Sequence, residues 1–259
     1  MLSKIKMNYI VSLQKKKIRE EEKLFVIEGD KLVKEFLAAG APVRILVAKP
    51  EFLNSLPVIH KKNAGEIIPA SYEELKKIST LKTPHNALAV IQMPERKIDF
   101  KNITKGLTVA LECVQDPGNL GTIIRAAAWF GIKNIYCSED CVDVYNPKVI
   151  QASMGAVLYT DVCYASLRDL AEKAAEEEIK IYGTMLEGDS IYAHKLGRTG
   201  IILLGNESKG ISDELIPYIT DRIMIPRQTD AGSGIDSLNV GMAASVIFSE
   251  FTRSRGRQG

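Results

Sequence analysis

The stretch Gln115–Gly131, QDPGNLGTIIRAAAWFG, decides how the second half of this chain is read. A Pro-Gly-Asn turn stands ahead of an apolar run of helical period, and one charge, Arg125, interrupts that run. The strand-like LTVALECV precedes it, so the local unit is strand, loop, helix. Working outward, the pattern repeats as strand NIYCS, a Pro147-led helix to Met154, strand AVLYTDVCYA and helix SLRDLAEKAAEEE. Strands IKIYGTM and GIILLGNE, a short helix SDELIPYI, strand RIMIPR and a final helix SLNVGMAASVIFSEF complete it. Alternation of this kind predicts an α/β fold, a mostly parallel sheet with helices on both faces. Ligands collect beyond the carboxyl ends of such strands. Three loops rich in Gly and Asn fall there: DPGNLG, GNESKG and PRQTDAGSGIDSLN.

The first half reads as a smaller α/β unit. EKLFVIEGDKLVKEFLAAG predicts a short strand, then an amphipathic helix with Leu32, Val33, Phe36 and Leu37 on one face and Gly40 as its stop. VRILVAKP, GEIIPAS and NALAVIQMP read as strands, and SYEELKKIS as a helix opened by Ser71 and Glu74 in capping-box spacing. The polar PERKIDFKNITKG has the character of a linker, which sets the expected domains at residues 1–100 and 101–259.

At 259 residues, with 46% hydrophobic residues and a net charge of +2, the chain can bury a real core and is not a disordered polyelectrolyte. Its charge is uneven: the first 100 residues hold 18 Lys and Arg against 12 Asp and Glu. Six basic residues and no acidic one lie between Met1 and Arg19, and Arg253, Arg255 and Arg257 stand near the other end. These ends read either as solvated tails or as contacts to an anionic polymer. Cys113, Cys137, Cys141 and Cys163 sit mostly in apolar contexts, as expected of reduced core thiols, and their spacing from His60, His85 and His194 argues against a metal site. No apolar run reaches membrane-spanning length, and the basic start lacks a following apolar stretch and cleavage site. A cytoplasmic protein without a membrane or metal partner is expected.

Taken singly, each loop has a structural reading: PGN as a turn, GNESKG as a strand-to-helix connection, Asp236 or Ser237 as the cap of the last helix. No G-x-G-x-x-G follows the first strand of either half, so a nucleotide-dependent oxidoreductase rests on alternation alone. Together, and in this order, NLGTIIRAAAWFG, LLGNESKGIS and IPRQTDAGSGIDSLNVGMAASVIFSE resemble the three motifs of the SpoU-type RNA 2′-O-ribose methyltransferases of the SPOUT superfamily. FVIEGDKLVKEFL and LKTPHNALAVI resemble the small substrate-binding domain that many members carry, related to a ribosomal-protein fold.

The resemblance implies a trefoil-knotted sheet, S-adenosylmethionine bound in the knot and a homodimer that completes each site. It implies cofactor contacts at Gly205, Ile225 and Leu238, and catalytic roles for Asn119, Arg125, Glu207, Ser237 and Asn239. The implied reaction is attack of a ribose 2′-hydroxyl on the sulfonium methyl of the cofactor, most simply on ribosomal RNA. A guanidinium rarely gives up its proton, so Arg125 suits a phosphate clamp kept desolvated until it is paired better than a base. Glu207 either orients the arginine or deprotonates the hydroxyl; Asn119, Ser237 and Asn239 are hydrogen-bonding positioners. The third motif is longer between Ile225 and Leu238 than the short connection of relatives. A tRNA methyltransferase, or a non-catalytic RNA-binding assembly factor on the same fold, remains the alternative.

Overall fold

The computed structural model describes residues 2–96, 103–228 and 237–253. The chain divides into two compact units: Met1–Glu95 with Asp143–Leu158, and Arg96–Val142 with Tyr159–Gly259.

The Lys-rich start is not a tail. It folds as α1 (Lys4–Ser12), whose Ser3 Oγ accepts from Lys6 N at 3.2 Å, and α2 (Lys16–Glu22). Leu2, Ile10 and Leu13, set among the lysines, are buried in the first unit's core with Leu24, Val26, Ile45, Leu75 and Val90. Four strands form its sheet: β1 (Leu24–Glu28), β2 (Val43–Ala48), β3 (Ala64–Pro69) and β4 (Ala87–Gln92), in the order β1-β4-β2-β3. β4 pairs antiparallel with β1 and β2, while β2 and β3 are parallel. Around it run α3 (Asp30–Ala38), α4 (Pro50–Ser55), α5 (Val58–Lys62) and α6 (Tyr72–Ile78). Gly29, at φ +118°, makes the turn from β1 into α3, a backbone conformation that L side chains resist. The capping box of α6 is present: Ser71 N donates to Glu74 Oε2 at 2.8 Å and Glu74 N to Ser71 Oγ at 3.3 Å. Leu2 N donates to the other oxygen of Glu74 at 2.9 Å. The backbone bonds from Ser71 and then Leu2 hold this carboxyl below the usual carboxylate range.

In the second unit β5 (Leu107–Leu111), α7 (Pro117–Trp129) and β6 (Asn134–Cys137) follow one another, and α8 (Pro147–Ser153) belongs to the first unit. Then come β7 (Asp161–Tyr164), α9 (Leu167–Glu176), β8 (Ile181–Ser190), β9 (Gly200–Leu204), β10 (Asp221–Met224) and α10 (Val240–Thr252). The six strands lie in the order β10-β8-β9-β5-β6-β7, and every neighbouring pair is parallel. Ile181 packs into a cluster with Leu167, Leu170, Ala171 and Ala174 of α9. The next residue, Tyr182, puts its ring 4.9 Å from Phe251 of α10. Successive strand side chains point to opposite faces, so α9 and α10 cover the two faces of the sheet.

Three local expectations are corrected. AVLYTDVCYA is no single strand: Ala156–Leu158 forms a 3-10 turn and only Asp161–Tyr164 is extended. SDELIPYI yields only a 3-10 turn at Ile216–Tyr218, where Pro217 lacks the N–H that a regular helix needs. The cap of α10 is Asn239, not Ser237; the alternative cap, Asp236, lies outside the described residues, as do Arg255, Arg257 and most of the longer third-motif loop.

Asp143–Leu158 is covalently placed between β6 and β7, yet packs with the first unit. Arg19, 2% exposed, donates from Nε to Asp143 Oδ2 at 3.1 Å and from Nη1 to Leu13 O at 3.0 Å and Gln14 O at 2.7 Å. Of the six early cations Arg19 is thus consumed internally, and Lys6 Nζ donates to Glu66 Oε2 at 2.8 Å. The rings of Phe25 and Tyr145 lie 4.6 Å apart, their planes tilted by 34°.

Candidate active site

β5 and β9 are neighbours from which the chain continues in opposite directions along the sheet, to β6 on one side and across β8 to β10 on the other. A crevice outside the carboxyl ends of strands opens where the order reverses. The first loop leaves β5 there and the second leaves β9.

Asp116 caps α7, its Oδ1 accepting from Asn119 N at 2.8 Å, with Pro117 in the first turn where its missing N–H costs nothing. This fixes Asn119 in the first turn of α7, just beyond the carboxyl end of β5. Its Nδ2 donates to Glu207 Oε1 at 2.7 Å, and its Oδ1 accepts from Asn239 Nδ2 at 2.8 Å. Asn239 Oδ1 in turn accepts from Gly241 N at 3.0 Å and Met242 N at 3.3 Å, capping α10. Those backbone donors settle which end of the Asn239 amide is oxygen, so each amide in the chain Asn239–Asn119–Glu207 has one orientation. The helices that carry the two asparagines approach closely: a Cβ on Gly241 would lie 3.1 Å from Thr122 Cγ2.

Three of the five expected catalytic residues are therefore joined by side-chain hydrogen bonds from three separate loops. Ser237 is exposed two residues before Asn239. Arg125 is exposed, against the expectation of a desolvated group. Leu120, Ile123, Ile124 and Ala127 bury one side of α7, which leaves Arg125 on the outer stripe with Thr122 and Trp129. Six residues separate it from Asn119, roughly 9 Å along the axis. Of the expected cofactor contacts, Gly205 and Ile225 are half-buried at the exits of β9 and β10, and Leu238 is 49% exposed. β8 lies between those strands, so the two exits stand roughly 10 Å apart. Sequence reading missed Asp116, Asn206 and Glu112, although Asp before Pro and Asn after Gly carry recognisable turn and cap chemistry.

Residues 106–249 match the SpoU rRNA Methylase family, and residues 3–89 match the MRM3-like substrate binding domain. The chain belongs to the SpoU rRNA methylase family. A relative, the 23S rRNA (guanosine(2553)-2′-O)-methyltransferase RlmP of Bacillus subtilis, is 28% identical over 236 residues, 91% of each chain. The mitochondrial rRNA methyltransferase 3 of Homo sapiens is 28% identical over 299 residues, 92% of this chain and 70% of that one. Among solved structures, a TrmH-family protein of Porphyromonas gingivalis is 36% identical with a TM-score of 0.87, covering 98% of this chain and 99% of its own. The AdoMet-bound rRNA methyltransferase of Sinorhizobium meliloti is 26% identical with a TM-score of 0.86, covering 98% and 97%.

The SpoU match contains all three loops and every expected site residue. In this SpoU-family chain Cys113 and Cys163 are half-buried, Cys137 and Cys141 are buried, and all four are free. Cys141 Sγ accepts from Val114 N at 3.2 Å, and hydrogen bonds from Cys137, Ser138 and Val114 bring its thiol down to about 7. No group of three or more His, Cys, Asp or Glu able to hold a metal occurs among the described residues, nor does any helix among them have the length and apolarity to cross a membrane.

Proposed function

We propose that the chain methylates a ribose 2′-hydroxyl of ribosomal RNA. The observation that carries this reading is the oriented chain Asn239–Asn119–Glu207 at the switch point of a parallel sheet. The donor set suits S-adenosylmethionine: Leu238 offers an exposed apolar surface beside Asn239, Ile225 a second one, and Gly205 brings main chain to the exit of β9 without a side chain. When bound, the cofactor supplies an electrophilic methyl group on sulfonium sulfur. The protein's part is alignment and proton management. Asn119 holds one oxygen of Glu207, which leaves the carboxylate's second oxygen to accept the hydrogen of the 2′-hydroxyl. Arg125, exposed on α7, is the clamp for the phosphate beside the target ribose. Ser237 positions the ribose.

The first unit gathers RNA through the excess of basic residues in the first half of the chain. The second unit carries the family's trefoil knot. Two copies pair through Trp129 at the end of α7 and Met242 in the first turn of α10, 85% and 63% exposed in the isolated chain. The cytoplasm is the proposed location.

The test is incubation with labelled cofactor and ribosomal or transfer RNA, followed by mapping of the methylated nucleotide. Label on ribosomal RNA at a ribose supports the reading. Label on transfer RNA alone, or none above a Glu207→Ala control, refutes it. Sedimentation at graded concentrations tests the pairing, which Trp129→Asp should weaken.

A further inference from the structure

Glu207 sits on the five-residue turn Asn206–Gly210, and the side chain of Asn206 organises that turn from within. Its Oδ1 accepts from Ser208 N at 2.9 Å and from Lys209 N at 3.0 Å, which wraps the backbone around Glu207. Its own backbone pairs both ways with Gly210, N to O at 3.0 Å and O to N at 2.9 Å, closing the turn. Gly210 stands at φ +71°, and a Cβ on Gly205 would fall 2.3 Å from the Gly210 carbonyl carbon, so the two ends of the turn touch through bare main chain. The remaining arm points elsewhere. Asn206 Nδ2 donates to Cys113 O at 2.8 Å, in the loop that leaves β5 and leads to Asn119. Cys113 is itself held at φ 54°, its N donating to Ser138 Oγ at 2.8 Å. A second tie, Ser212 N to Glu112 Oε2 at 2.9 Å, joins the same two loops just beyond the turn.

We propose that Asn206 is a positioning residue that sets Glu207 against Asn119 by locking the turn after β9 onto the loop after β5. The inference rests on the proposed role of Glu207. Both lone pairs of its amide oxygen serve the turn and one amide hydrogen serves the tie, so one side chain controls the shape of the Glu207 turn and its placement. An ionised Asp of the same size offers acceptors only, so at neutral pH it cannot supply the donor of the tie.

The test separates these two duties. Asn206→Asp keeps the acceptors for Ser208 and Lys209 but turns an oxygen toward the Cys113 carbonyl, so the turn survives and the tie is lost. Asn206→Ala loses both. Expected for Asn206→Asp is a Tm lowered by no more than about 2–4 °C, the scale of one lost hydrogen bond, with cofactor and RNA affinities within about twofold and a loss in kcat of roughly 10–100-fold, the scale of a misplaced catalytic group. Combined with Glu207→Ala, either Asn206 variant should add nothing, because Asn206 acts through Glu207. Losses that multiply, or KM for RNA rising in step with the fall in kcat, overturn the inference. Amide exchange at Ser208 and Lys209 gives a readout without turnover: protection kept in Asn206→Asp and lost in Asn206→Ala supports it, and protection unchanged in both overturns it. A wild-type chain that binds the cofactor yet methylates no RNA refutes the proposed function, while the exchange result still decides the role of Asn206.

Discussion

Asn239 serves two masters, the cap of α10 and the Asn119 amide, and two substitutions divide them. Asn239→Ala removes the acceptor for Gly241 N and Met242 N together with the donor to Asn119. Loss of such a cap costs about 1 kcal/mol, and loss of a side-chain hydrogen bond about 1 kcal/mol more. At about 2–4 °C per kcal/mol for a body of this size, Tm should fall by about 4–8 °C. Asn239→Asp keeps a good cap, with a carboxylate favoured at a helix N-terminus. It also sets an acceptor oxygen 2.8 Å from Asn119 Oδ1. Two acceptors cannot share that distance, so the Asn119 amide turns over and donates to the new carboxylate, and Glu207 loses its donor. Tm should stay within about 2 °C of wild type, while kcat falls by roughly 100-fold, or about 2.7 kcal/mol of transition-state stabilisation. Differential scanning calorimetry and single-turnover methyl transfer on the same preparations read both quantities. If Asn239→Asp retains kcat within twofold, or if the two variants lose activity in proportion to their loss of Tm, the oriented amide chain has no catalytic role.

Arg19→Ala strands a nearly buried Asp143 carboxylate and two backbone carbonyls, and should cost about 3–5 kcal/mol; adding Asp143→Ala should restore part of that, and urea denaturation measures both. For Glu74 the sign follows from a folded-state pKa below the unfolded one: its contribution is complete above the ordinary carboxylate range and disappears as pH falls through the lowered value. The stability difference between wild type and Glu74→Gln should therefore be constant near neutrality and close below that range, as acid titrations of Tm would show. Gly205→Ala places a Cβ 2.3 Å from Gly210 main chain, so the turn must open; equilibrium dialysis should find cofactor binding weakened at least tenfold, and native affinity would refute the close packing of this turn.

The alternation of the second half was readable because parallel strands buried on both faces appear as plain apolar runs, such as TVAL and IILL. The candidate site was readable in two steps: the alternation sets three polar loops at one edge of the sheet, and the family resemblance singles out Asn119, Glu207 and Asn239, which hydrogen bonds join in the structure. What escaped reading depends on tertiary partners. Ile10 and Leu13 are two apolar residues among lysines, and only the core beneath them distinguishes a packed helix from a solvated one. Arg125 looked buried because its neighbours are apolar, but helical rotation places it on the outer stripe. Asn239 outcompeted Ser237 as the cap because Leu238 and Asn239 precede the first helical residue, Val240, and register decides capping where composition offers several candidates.

The affiliation of Asp143–Leu158 bears on how this protein can be taken apart. A cut in the polar stretch near residue 100 looks natural, yet it gives two fragments that are each incomplete. The N-terminal piece lacks α8 and Tyr145, so Phe25 loses a ring contact and Arg19 its counter-ion. The C-terminal piece carries that same segment with nothing to cover its buried Val149 and Ile150. The two units thus share one stretch of polypeptide, and recombinant dissection succeeds only if the excised fragment of one unit travels with the other.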